Sequence, residues 1–295
     1  GAAAAVTVGE LLAALDATHP GARLHGDASA SAVPLRSVTH DSRRVGPGTL
    51  FCCVVGEHAD GHDFAAEAVA AGAVALLVQR DPDPDGPLRS VPQIVVDDVR
   101  AAMATAAVEV YRHPAERLRT VGVTGTNGKT TVVSAVAHVL SAAGRRVEAI
   151  GTLTGARTTP EAPDLQARLA ELVSAGVTDV AMEVSSHALS LHRVDGVVFD
   201  VAVFTNLGQD HLDFHGTPEA YFAAKAQLFE AGRSRRGIVD VDDVHGRLLM
   251  DSAPPGHPMV AVSVADAEPV TSTVTGSSFR WRGRSVSCPL PGRHN

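Results

Sequence analysis

The stretch of the sequence that most constrains the fold is VGVTGTNGKTTVVSAVAHVL, Val121 to Leu140. It begins as an apolar strand, passes through a loop rich in glycine and, from Lys129 on, takes the pattern of a helix. A strand, a glycine loop and a helix in this order are typical of phosphate-binding sites in parallel α/β sheets. The stretch therefore predicts an α/β fold in which this loop holds the phosphates of a nucleotide.

The residues of this loop supply the chemistry of a phosphate site, although the usual motif would have a further glycine where this chain has Val123. Gly125 and Gly128 allow backbone conformations that let amide N–H groups approach oxyanions. Lys129 offers a positive charge to the β- and γ-phosphates, and Thr130 offers a hydroxyl suited to Mg²⁺. The alternative is a glycine-rich turn with a solvated lysine, but the strand, loop and helix context favours nucleotide binding.

Composition excludes several other classes of protein. The chain has 295 residues, 45% of them hydrophobic, which is enough for two domains with their own cores. A net charge of −8 disfavours a general nucleic-acid binder, and no apolar run is long enough to predict a membrane span. The three cysteines lack disulfide or zinc spacing, so we expect a reducing, cytoplasmic compartment. The alanine-rich N-terminus predicts a helix rather than a signal peptide.

The order of strand and helix patterns predicts two domains. Residues up to about 112 contain short strands separated by helices and predict a small α/β domain, which we place at 1–114. The charged, proline-containing segment 112–120 is the best linker candidate. From there strands and helices alternate, which predicts a doubly wound, mostly parallel sheet in a central domain at 115–295. After about residue 255 only short β-like pieces follow.

Three further features join the loop. Glu183 ends an apolar strand, where it would face the phosphates at the carboxyl edge of the sheet. Asp210, His211, Asp213 and His215 lie within six residues after another strand, and read alone they fit a solvated loop as well as a metal site. Since a nucleotide loop predicts Mg²⁺, the metal interpretation gains weight. Lys225 lies on the next helix, and because a cationic lysine cannot ligate a metal, a surface charge is its default interpretation.

Taken together, TGTNGKTT, MEVSSHAL and TNLGQDHLDFHG followed by AAK resemble the Mur ligases of peptidoglycan synthesis. Within that family the chain is most similar to the ligases that add the third amino acid. The first domain contributes THDSRRVGPGTLFCCVVGEHADGHDF, and the segment ARTTPEAPDLQ at 156–166 is characteristic of those ligases. The resemblance covers essentially the whole chain.

The resemblance implies a nucleotide and metal site. It assigns the ATP phosphates to Gly125, Thr126, Asn127, Gly128, Lys129, Thr130 and Thr131, and adenine to Asn295. Thr130 would hold a first Mg²⁺, and Glu183 would bridge that ion and a second one bound by His211. Lys225 corresponds to the lysine that is carbamylated in this family, where CO₂ converts the cation into an anion able to support a metal. Such a carbamate needs a lysine with a lowered pKa.

The resemblance also implies the substrates. The uridine diphosphate of UDP-N-acetylmuramoyl-L-alanyl-D-glutamate would contact Ser42, Glu57, His58 and Ala59 in a UDP-sugar-binding domain. The muramoyl-peptide part would contact Thr158, Thr159, Ser185 and Arg193. The reaction would be an ATP-dependent amide ligation through an acyl phosphate, with meso-diaminopimelate or L-lysine as the incoming amino acid. A monomer without nucleic-acid or membrane partners is expected.

The resemblance implies a C-terminal domain of about 150 residues, and we expect that domain to be missing from this chain. We therefore expect a fragment, a truncated form or a divergent gene product that binds the UDP-sugar peptide but ligates poorly by itself. Two alternatives remain open. One is another amide ligase with the same central domain, such as folylpolyglutamate synthase, although that enzyme begins directly with the central domain. The other is a non-catalytic module that binds a nucleotide and a UDP-sugar.

Overall fold

The computed structural model of the protein describes residues 5–26, 29–83, 85–155, 157–267 and 270–289. The chain forms two compact units. The first contains the residues up to Leu118 together with Pro160–Gly176 and Ser190–Val197. The second contains Arg119–Thr159, Val177–Leu189 and the residues from Val198 on.

Helices and strands alternate along most of the described chain. The helices are α1 Val8–Thr18, α2 Ala65–Ala70, α3 Val99–Val110, α4 Lys129–Ala142, α5 Ala162–Ser174, α6 Ser186–Ser190, α7 Leu212–His215, α8 Pro218–Ala226 and α9 Val244–Asp251. The strands are β1 Val6–Thr7, β2 Arg23–His25, β3 Pro34–Leu35, β4 Ser37–Thr39, β5 Thr49–Cys52, β6 Ala73–Val78, β7 Gln93–Val95, β8 Arg119–Thr124, β9 Val147–Ile150, β10 Asp179–Glu183, β11 Val201–Phe204, β12 Gly237–Asp240, β13 Met259–Val262, β14 Thr271–Thr273, β15 Gly276–Trp281 and β16 Arg284–Cys288.

The first unit contains a five-stranded sheet in the order β2-β7-β6-β5-β4, parallel except for the antiparallel edge strand β2. Both faces of the sheet are covered. Leu50 and Cys52 belong to one hydrophobic cluster, and Phe51 and Cys53 belong to another. Because side chains alternate between the faces of a strand, an unbroken apolar run such as LFCC indicates a strand buried on both sides. The two thiols are therefore core residues, and burial raises the pKa of Cys53 to about 12.

Side-chain caps mark the starts of two helices of this unit. Helix α1 begins after Thr7, whose side chain accepts from the backbone N–H of Glu10 while the Glu10 carboxylate accepts from the backbone N–H of Thr7. Asp98 caps α3 by accepting from two backbone amides of its first turn. The helix predicted for the N-terminal region is thus present, and the apolar sides of α1 and α3 contribute to the same cluster as Leu50.

The second unit contains a six-stranded sheet in the order β13-β12-β11-β8-β10-β9, in which every neighbouring pair is parallel. The predicted doubly wound parallel sheet is therefore confirmed. Val133 of α4 packs against Val123 and Ala181 on the sheet. Strand β8 lies between β10 and β11, where the order of strands reverses, and ligands bind outside the carboxyl ends of the strands at such a point.

The remaining segments add local detail to the predicted organisation. The linker candidate 112–120 is ordered, with a 3₁₀ helix at Pro114–Arg117 in which Pro114 and Ala115 are buried. The compact units divide at Leu118, but residues 160–176 and 190–197 return to the first unit, so a single boundary after residue 114 stays a prediction. Strands β14 to β16 form a separate antiparallel sheet. Among the described residues, no helix is long and apolar enough to cross a membrane.

Candidate functional site

The phosphate loop, which we define as residues 125–128, connects the end of β8 to the start of α4. Gly125 has a φ of 145° and Gly128 a φ of 83°, and both values favour glycine. A Cβ atom at Gly125 would lie 1.9 Å from Oγ1 of Thr205, whereas a Cβ at Gly128 would find its nearest neighbour at 3.9 Å. Both glycines predicted from the sequence are favoured by their positive φ. Only Gly125 is also required by close packing, because a larger residue there would collide with Thr205 after β11.

Substitution of Gly125 by alanine is expected to be much more harmful than substitution of Gly128. Both variants carry backbone strain of about 1 kcal/mol, but only Gly125→Ala also forces the phosphate loop away from Thr205. We expect Gly125→Ala to lose at least about 2 kcal/mol of unfolding free energy in urea titrations. Gly128→Ala is the matched control, and an equal loss in the two variants would contradict the assigned contact.

The loop is supported by the residues that follow β11. Thr126 donates its backbone N–H to the carbonyl of Asn206 at 2.9 Å, and Asn127 donates to Oδ1 of Asn206 at 3.0 Å. Thr205 donates its hydroxyl to the carbonyl of Asn127 at 2.6 Å, and Gly208 donates its N–H to Oγ1 of Thr126 at 2.8 Å. No role was predicted for Thr205 and Asn206 from the sequence. The sequence feature that could have identified them is a polar Thr-Asn pair directly after a buried strand.

Both lysines of the sequence lie at this loop. Nζ of Lys129 donates to the carbonyls of Gly125 at 2.8 Å and Thr126 at 3.0 Å. Nζ of Lys225 donates to the same Gly125 carbonyl at 3.0 Å. Burial lowers the pKa of Lys129, against the opposing charges of Glu183 and Asp210. Two amines therefore share one carbonyl, and the positive charge of Lys129 beside the loop suits an anionic ligand.

Lys225 is buried, so its default interpretation as a surface charge is wrong. It is 1% exposed, and Nζ lies 4.4 Å from the centre of the Tyr221 ring. Thr217 caps α8 at its start, and Tyr221, Ala224 and Lys225 share its buried face at helical spacing. Burial, helped by the charge of Lys129, lowers the pKa of Lys225 to about 7. A periodic helix pattern with one lysine could not distinguish a buried from an exposed position.

Glu183 occupies the carboxyl end of β10, next to the phosphate loop as predicted. It is 2% exposed, and Oε1 accepts from the Thr130 hydroxyl at 3.0 Å and from the Thr152 N–H at 2.9 Å. The Thr152 hydroxyl lies 3.4 Å from Oε2. A hydroxyl and a carboxylate oxygen side by side fit Mg²⁺, which prefers oxygen ligands and takes the rest of its octahedral shell from phosphates and water. No role was predicted for Thr152 from the sequence.

The histidine cluster lies at α6 and α7. The ring of His211 is 46% exposed and stands edge-on to His187 at a centroid distance of 4.7 Å, and Nε2 of His215 lies 2.9 Å from Oγ of Ser186. In the described part of the chain, no three His, Cys, Asp or Glu side chains are arranged to hold a metal. A second metal on His211 therefore stays a prediction. Burial, together with the charges of Lys225 and His211, lowers the pKa of His215.

Thr158, Thr159 and Ser185 lie close to Glu183. The Thr159 hydroxyl donates to the backbone carbonyl of Glu183 at 2.9 Å and accepts from the N–H of Ser185 at 3.1 Å. Oγ1 of Thr158 lies 3.1 Å from Oγ1 of Thr152. Three of the four residues predicted to hold the muramoyl peptide therefore surround the end of β10.

The fourth, Arg193, belongs to the first unit, where Nη2 lies 2.8 Å from Oε1 of Glu161. Oε2 of Glu161 lies 3.5 Å from Nη1 of Arg100. The predicted substrate arginine is thus held by a carboxylate of the protein itself, and Glu161 is 5% exposed. Neither Glu161 nor Arg100 was assigned from the sequence, because ion pairs between distant segments leave no local pattern.

The residues predicted to bind uridine diphosphate are also in the first unit. Ser42 begins a short 3₁₀ helix after β4, and residues 57–59 are exposed at the tip of a loop closed by the bond from Gly56 N–H to the Ala59 carbonyl at 2.9 Å. Asp60 anchors this loop through Nδ1 of His62 at 2.6 Å and Nη2 of Arg80 at 2.8 Å. The predicted adenine contact Asn295 lies outside the described residues.

Loss of the Asp60 charge is expected to loosen this loop. Although partial burial opposes ionisation, hydrogen bonds from His62 and Arg80 lower the pKa of Asp60 from 3.8 to about 2. A folded-state pKa below the unfolded value stabilises the protein above about pH 4, and this contribution is lost as the pH falls toward 2. Asp60→Asn should therefore lower the unfolding free energy at pH 7 by up to about 2 kcal/mol.

Urea titrations between pH 3 and 7 measure this effect, with the exposed neighbour Asp63 as the control in Asp63→Asn. We expect the control to stay within about 0.5 kcal/mol of the original chain. A loss in Asp60→Asn that is the same at pH 3 and pH 7 would refute the electrostatic explanation.

Comparison with known proteins supports the assignment of the fold and of the phosphate loop. Residues 123–295 match the Mur ligase middle domain, and residues 34–111 match a domain described as Mur ligase family, catalytic domain. The chain is 42% identical over 281 residues to the UDP-N-acetylmuramoyl-L-alanyl-D-glutamate--2,6-diaminopimelate ligase of Streptomyces avermitilis, covering 88% of this chain and 54% of the relative. The chain belongs to the Mur ligase family.

Other Mur ligases are also similar to the chain. The enzyme of the same name from Synechococcus elongatus is 46% identical over 241 residues, which are 77% of this chain and 48% of the relative. The chain thus spans about half the length of these curated relatives. A solved structure of a ligase with this name superposes with a TM-score of 0.77 at 29% identity, covering 91% of this chain and 58% of that one.

More distant structures share the Mur ligase fold alone. MurF from Acinetobacter baumannii superposes with a TM-score of 0.70 at 22% identity and covers 96% of this chain and 61% of that one. The FPGS-AMPPCP complex, a folylpolyglutamate synthase structure, superposes with a TM-score of 0.51 at 18% identity and covers 65% of this chain and 58% of that one. The folylpolyglutamate synthase alternative therefore has only partial fold similarity in its favour, whereas the Mur ligase match includes residues 34–111.

Proposed function

We propose that this chain is part of an ATP-dependent amide ligase that adds the third amino acid to UDP-N-acetylmuramoyl-L-alanyl-D-glutamate in peptidoglycan synthesis. The observation that carries the proposal is the environment of Glu183. Its carboxylate accepts from Thr130, in the first turn of α4 directly after the phosphate loop, and from Thr152, which also contacts Thr158. A nucleotide site and an acceptor site that meet at one carboxylate suit the transfer of a phosphoryl group from one ligand to the other.

The proposed reaction has two steps. A carboxylate is a poor electrophile, so an oxygen of the γ-carboxylate of D-glutamate attacks the γ-phosphorus of ATP and displaces ADP, which gives an acyl phosphate. The amine of the incoming amino acid then attacks the acyl carbon, loses a proton and expels phosphate, which leaves an amide. Because phosphoryl transfer is catalysed mainly by positioning and charge stabilisation, the protein needs cations and N–H donors around the phosphates.

The residues of the phosphate loop fit these needs. Lys129 and the amides of residues 125–128 would bind and orient the β- and γ-phosphates, with Thr131 in the first turn of α4. Thr130 and Glu183 would hold Mg²⁺, which when bound stabilises negative charge on the phosphoryl oxygens. Asn295 is proposed to contact adenine. The family resemblance is the basis for that last assignment.

Lys225 is proposed to react with CO₂. Its neutral amine would attack the carbon of CO₂ and lose a proton, which gives an anionic carbamate. The lowered pKa of about 7 supports this, because a large fraction of the amine is neutral near physiological pH. The carbamate oxygens and the imidazole of His211 would then offer ligands of the kind that a second Mg²⁺ accepts.

The family resemblance is also the basis for the proposed contacts of the acceptor substrate. Ser42 and residues 57–59 would contact uridine diphosphate, and Thr158, Thr159, Ser185 and Arg193 would contact the muramoyl peptide. The two related ligases named for 2,6-diaminopimelate favour that amino acid over L-lysine as the incoming one. We propose that the complete enzyme acts in the cytoplasm as a monomer.

Binding and ligation assays test the proposal. Calorimetric titration of the chain with Mg²⁺-AMPPNP, UDP-N-acetylmuramoyl-L-alanyl-D-glutamate and dihydrofolate should give binding of the first two only. Transfer of ¹⁸O from the D-glutamate carboxylate to phosphate, in a ligation assay with the complete gene product, would report the acyl phosphate. Separate reactions with meso-diaminopimelate and L-lysine identify the amino acid. Binding of dihydrofolate in place of the UDP-sugar would reject the proposed substrate.

A further inference from the structure

Thr152 connects the two ligand regions of the second unit. It follows β9, and its backbone N–H and hydroxyl approach Oε1 and Oε2 of Glu183 at 2.9 and 3.4 Å. The same hydroxyl lies 3.1 Å from the hydroxyl of Thr158. Since a threonine hydroxyl has one donor and two acceptor positions, it can donate to Glu183 while it accepts from Thr158.

The connection continues on the nucleotide side. Oε1 of Glu183 also accepts from the Thr130 hydroxyl at 3.0 Å, so a continuous series of polar contacts runs from Thr130 through Glu183 and Thr152 to Thr158. Glu183 is 2% exposed, and a buried carboxylate depends on such donors for its orientation. A Cβ atom at Gly151 would lie 2.2 Å from Oε1 of Glu183, so the backbone at Gly151, next to Thr152, packs closely against the carboxylate.

A second set of bonds holds the neighbouring backbone in place without Thr152. The Thr159 hydroxyl donates to the Glu183 carbonyl at 2.9 Å and accepts from Ser185 N–H at 3.1 Å. Loss of the Thr152 hydroxyl should therefore leave residues 158–159 anchored to the end of β10. That loss would remove the hydrogen bonds by which the Thr152 side chain connects the Glu183 carboxylate to the Thr158 hydroxyl.

We propose that the Thr152 hydroxyl is a positioning group that couples nucleotide binding to muramoyl-peptide binding. A ligand that engages Thr130 and Glu183 changes the hydrogen bonds available to the carboxylate. Thr152 then holds the Thr158 hydroxyl in the orientation in which it contacts the muramoyl peptide. The inference rests on the proposed function, because it takes the ligands of the two ends to be Mg²⁺-nucleotide and the UDP-muramoyl dipeptide. Coupling of this kind is reciprocal, so either ligand should tighten the other by the same factor.

A matched pair of variants isolates the hydroxyl. Thr152→Val has nearly the same shape without the hydroxyl, and Thr152→Ser keeps the hydroxyl. By calorimetry, we expect UDP-N-acetylmuramoyl-L-alanyl-D-glutamate to tighten Mg²⁺-AMPPNP binding to the original chain by about 5-fold or more. The factor should fall below about 2-fold in Thr152→Val and remain in Thr152→Ser. Each ligand alone should bind all three proteins within about 3-fold, an effect smaller than one lost hydrogen bond.

The outcomes separate this inference from the proposed function. If the original chain binds neither ligand, the proposed function fails and the inference fails with it. If both ligands bind but coupling is absent, or is equally strong in Thr152→Val, the inference is overturned while the function stands. Should Thr152→Val be unfolded by circular dichroism, Thr152→Ala removes the same hydroxyl and leaves Thr158 intact. It should show the same loss of coupling, and retained coupling there would overturn the inference.

Discussion

Replacement of Lys225 by methionine is expected to increase the free energy of unfolding at neutral pH by up to about 5 kcal/mol, since each unit of pKa shift is worth about 1.4 kcal/mol. The buried amine has a folded-state pKa of about 7 instead of the model-compound value of 10.5, chiefly because burial disfavours its charged form. Methionine fills a similar volume without a charge, so it avoids this penalty. The loss of the bond to the Gly125 carbonyl offsets part of the gain, but Lys129 still donates to that carbonyl.

The sign of the pH dependence follows from the same values. Below about pH 7 the amine is protonated in both the folded and the unfolded chain, so the full penalty is present. Between about pH 7 and 10.5 the unfolded chain binds more protons than the folded one, and the stability of the original chain therefore rises with pH. The advantage of Lys225→Met should thus be largest below pH 7 and shrink as the pH rises through this window.

Urea titrations at pH 6, 7, 8 and 9 measure the difference, and Glu219→Gln on the exposed face of α8 is the control. Because the sequence has two lysines, a chain labelled with [¹³C]lysine gives two side-chain signals, and Lys225→Met assigns them. One signal should titrate near pH 7. A Lys225 signal that titrates near 10.5, or a Lys225→Met chain that is less stable at pH 6, would show that the amine is not held in a desolvated site.

Replacement of Lys129 by alanine is expected to weaken nucleotide binding by about 10- to 100-fold, because hydrogen bonds to charged groups contribute about 1.5–3 kcal/mol. The Lys129 amine lies on the carbonyls of the phosphate loop, at the start of α4, where its charge would meet the phosphates. Folding stability should change little, since burial lowers the pKa of Lys129 and its ammonium is not a favourable core group.

Calorimetric titration with Mg²⁺-AMPPNP measures the Lys129→Ala effect, and urea titration in parallel reports stability. His138→Ala on the exposed face of the same helix is the control and should bind like the original chain. Nucleotide affinity in Lys129→Ala within about 3-fold of the original would refute the role of Lys129 as a phosphate ligand. An affinity loss accompanied by unfolding would be a structural effect and would contradict the expected unchanged stability.

Much of the fold followed from short-range patterns. The apolar runs at β5, β6 and β10 indicated strands, and the alternation of strands with helices after about residue 120 predicted the parallel sheet that the second unit contains. The carboxyl ends of β8, β10 and β11 meet at one edge, so a loop lysine, Glu183 and the residues after Phe204 could be predicted to lie together. The return of residues 160–176 to the first unit could not be predicted, because helix amphipathicity does not identify the surface that a helix covers.

The sequence by itself determined the phosphate loop and the parallel sheet, because glycine geometry, strand burial and helix starts are local properties of a few consecutive residues. Only the tertiary structure decided the burial, the pKa values and the bonding partners of the side chains. It buried Lys225 and lowered its pKa, engaged Arg193 with Glu161, and placed Thr152 between Glu183 and Thr158. Desolvation and hydrogen bonding depend on neighbours that are distant in the chain, and the residue pattern along one segment does not contain them.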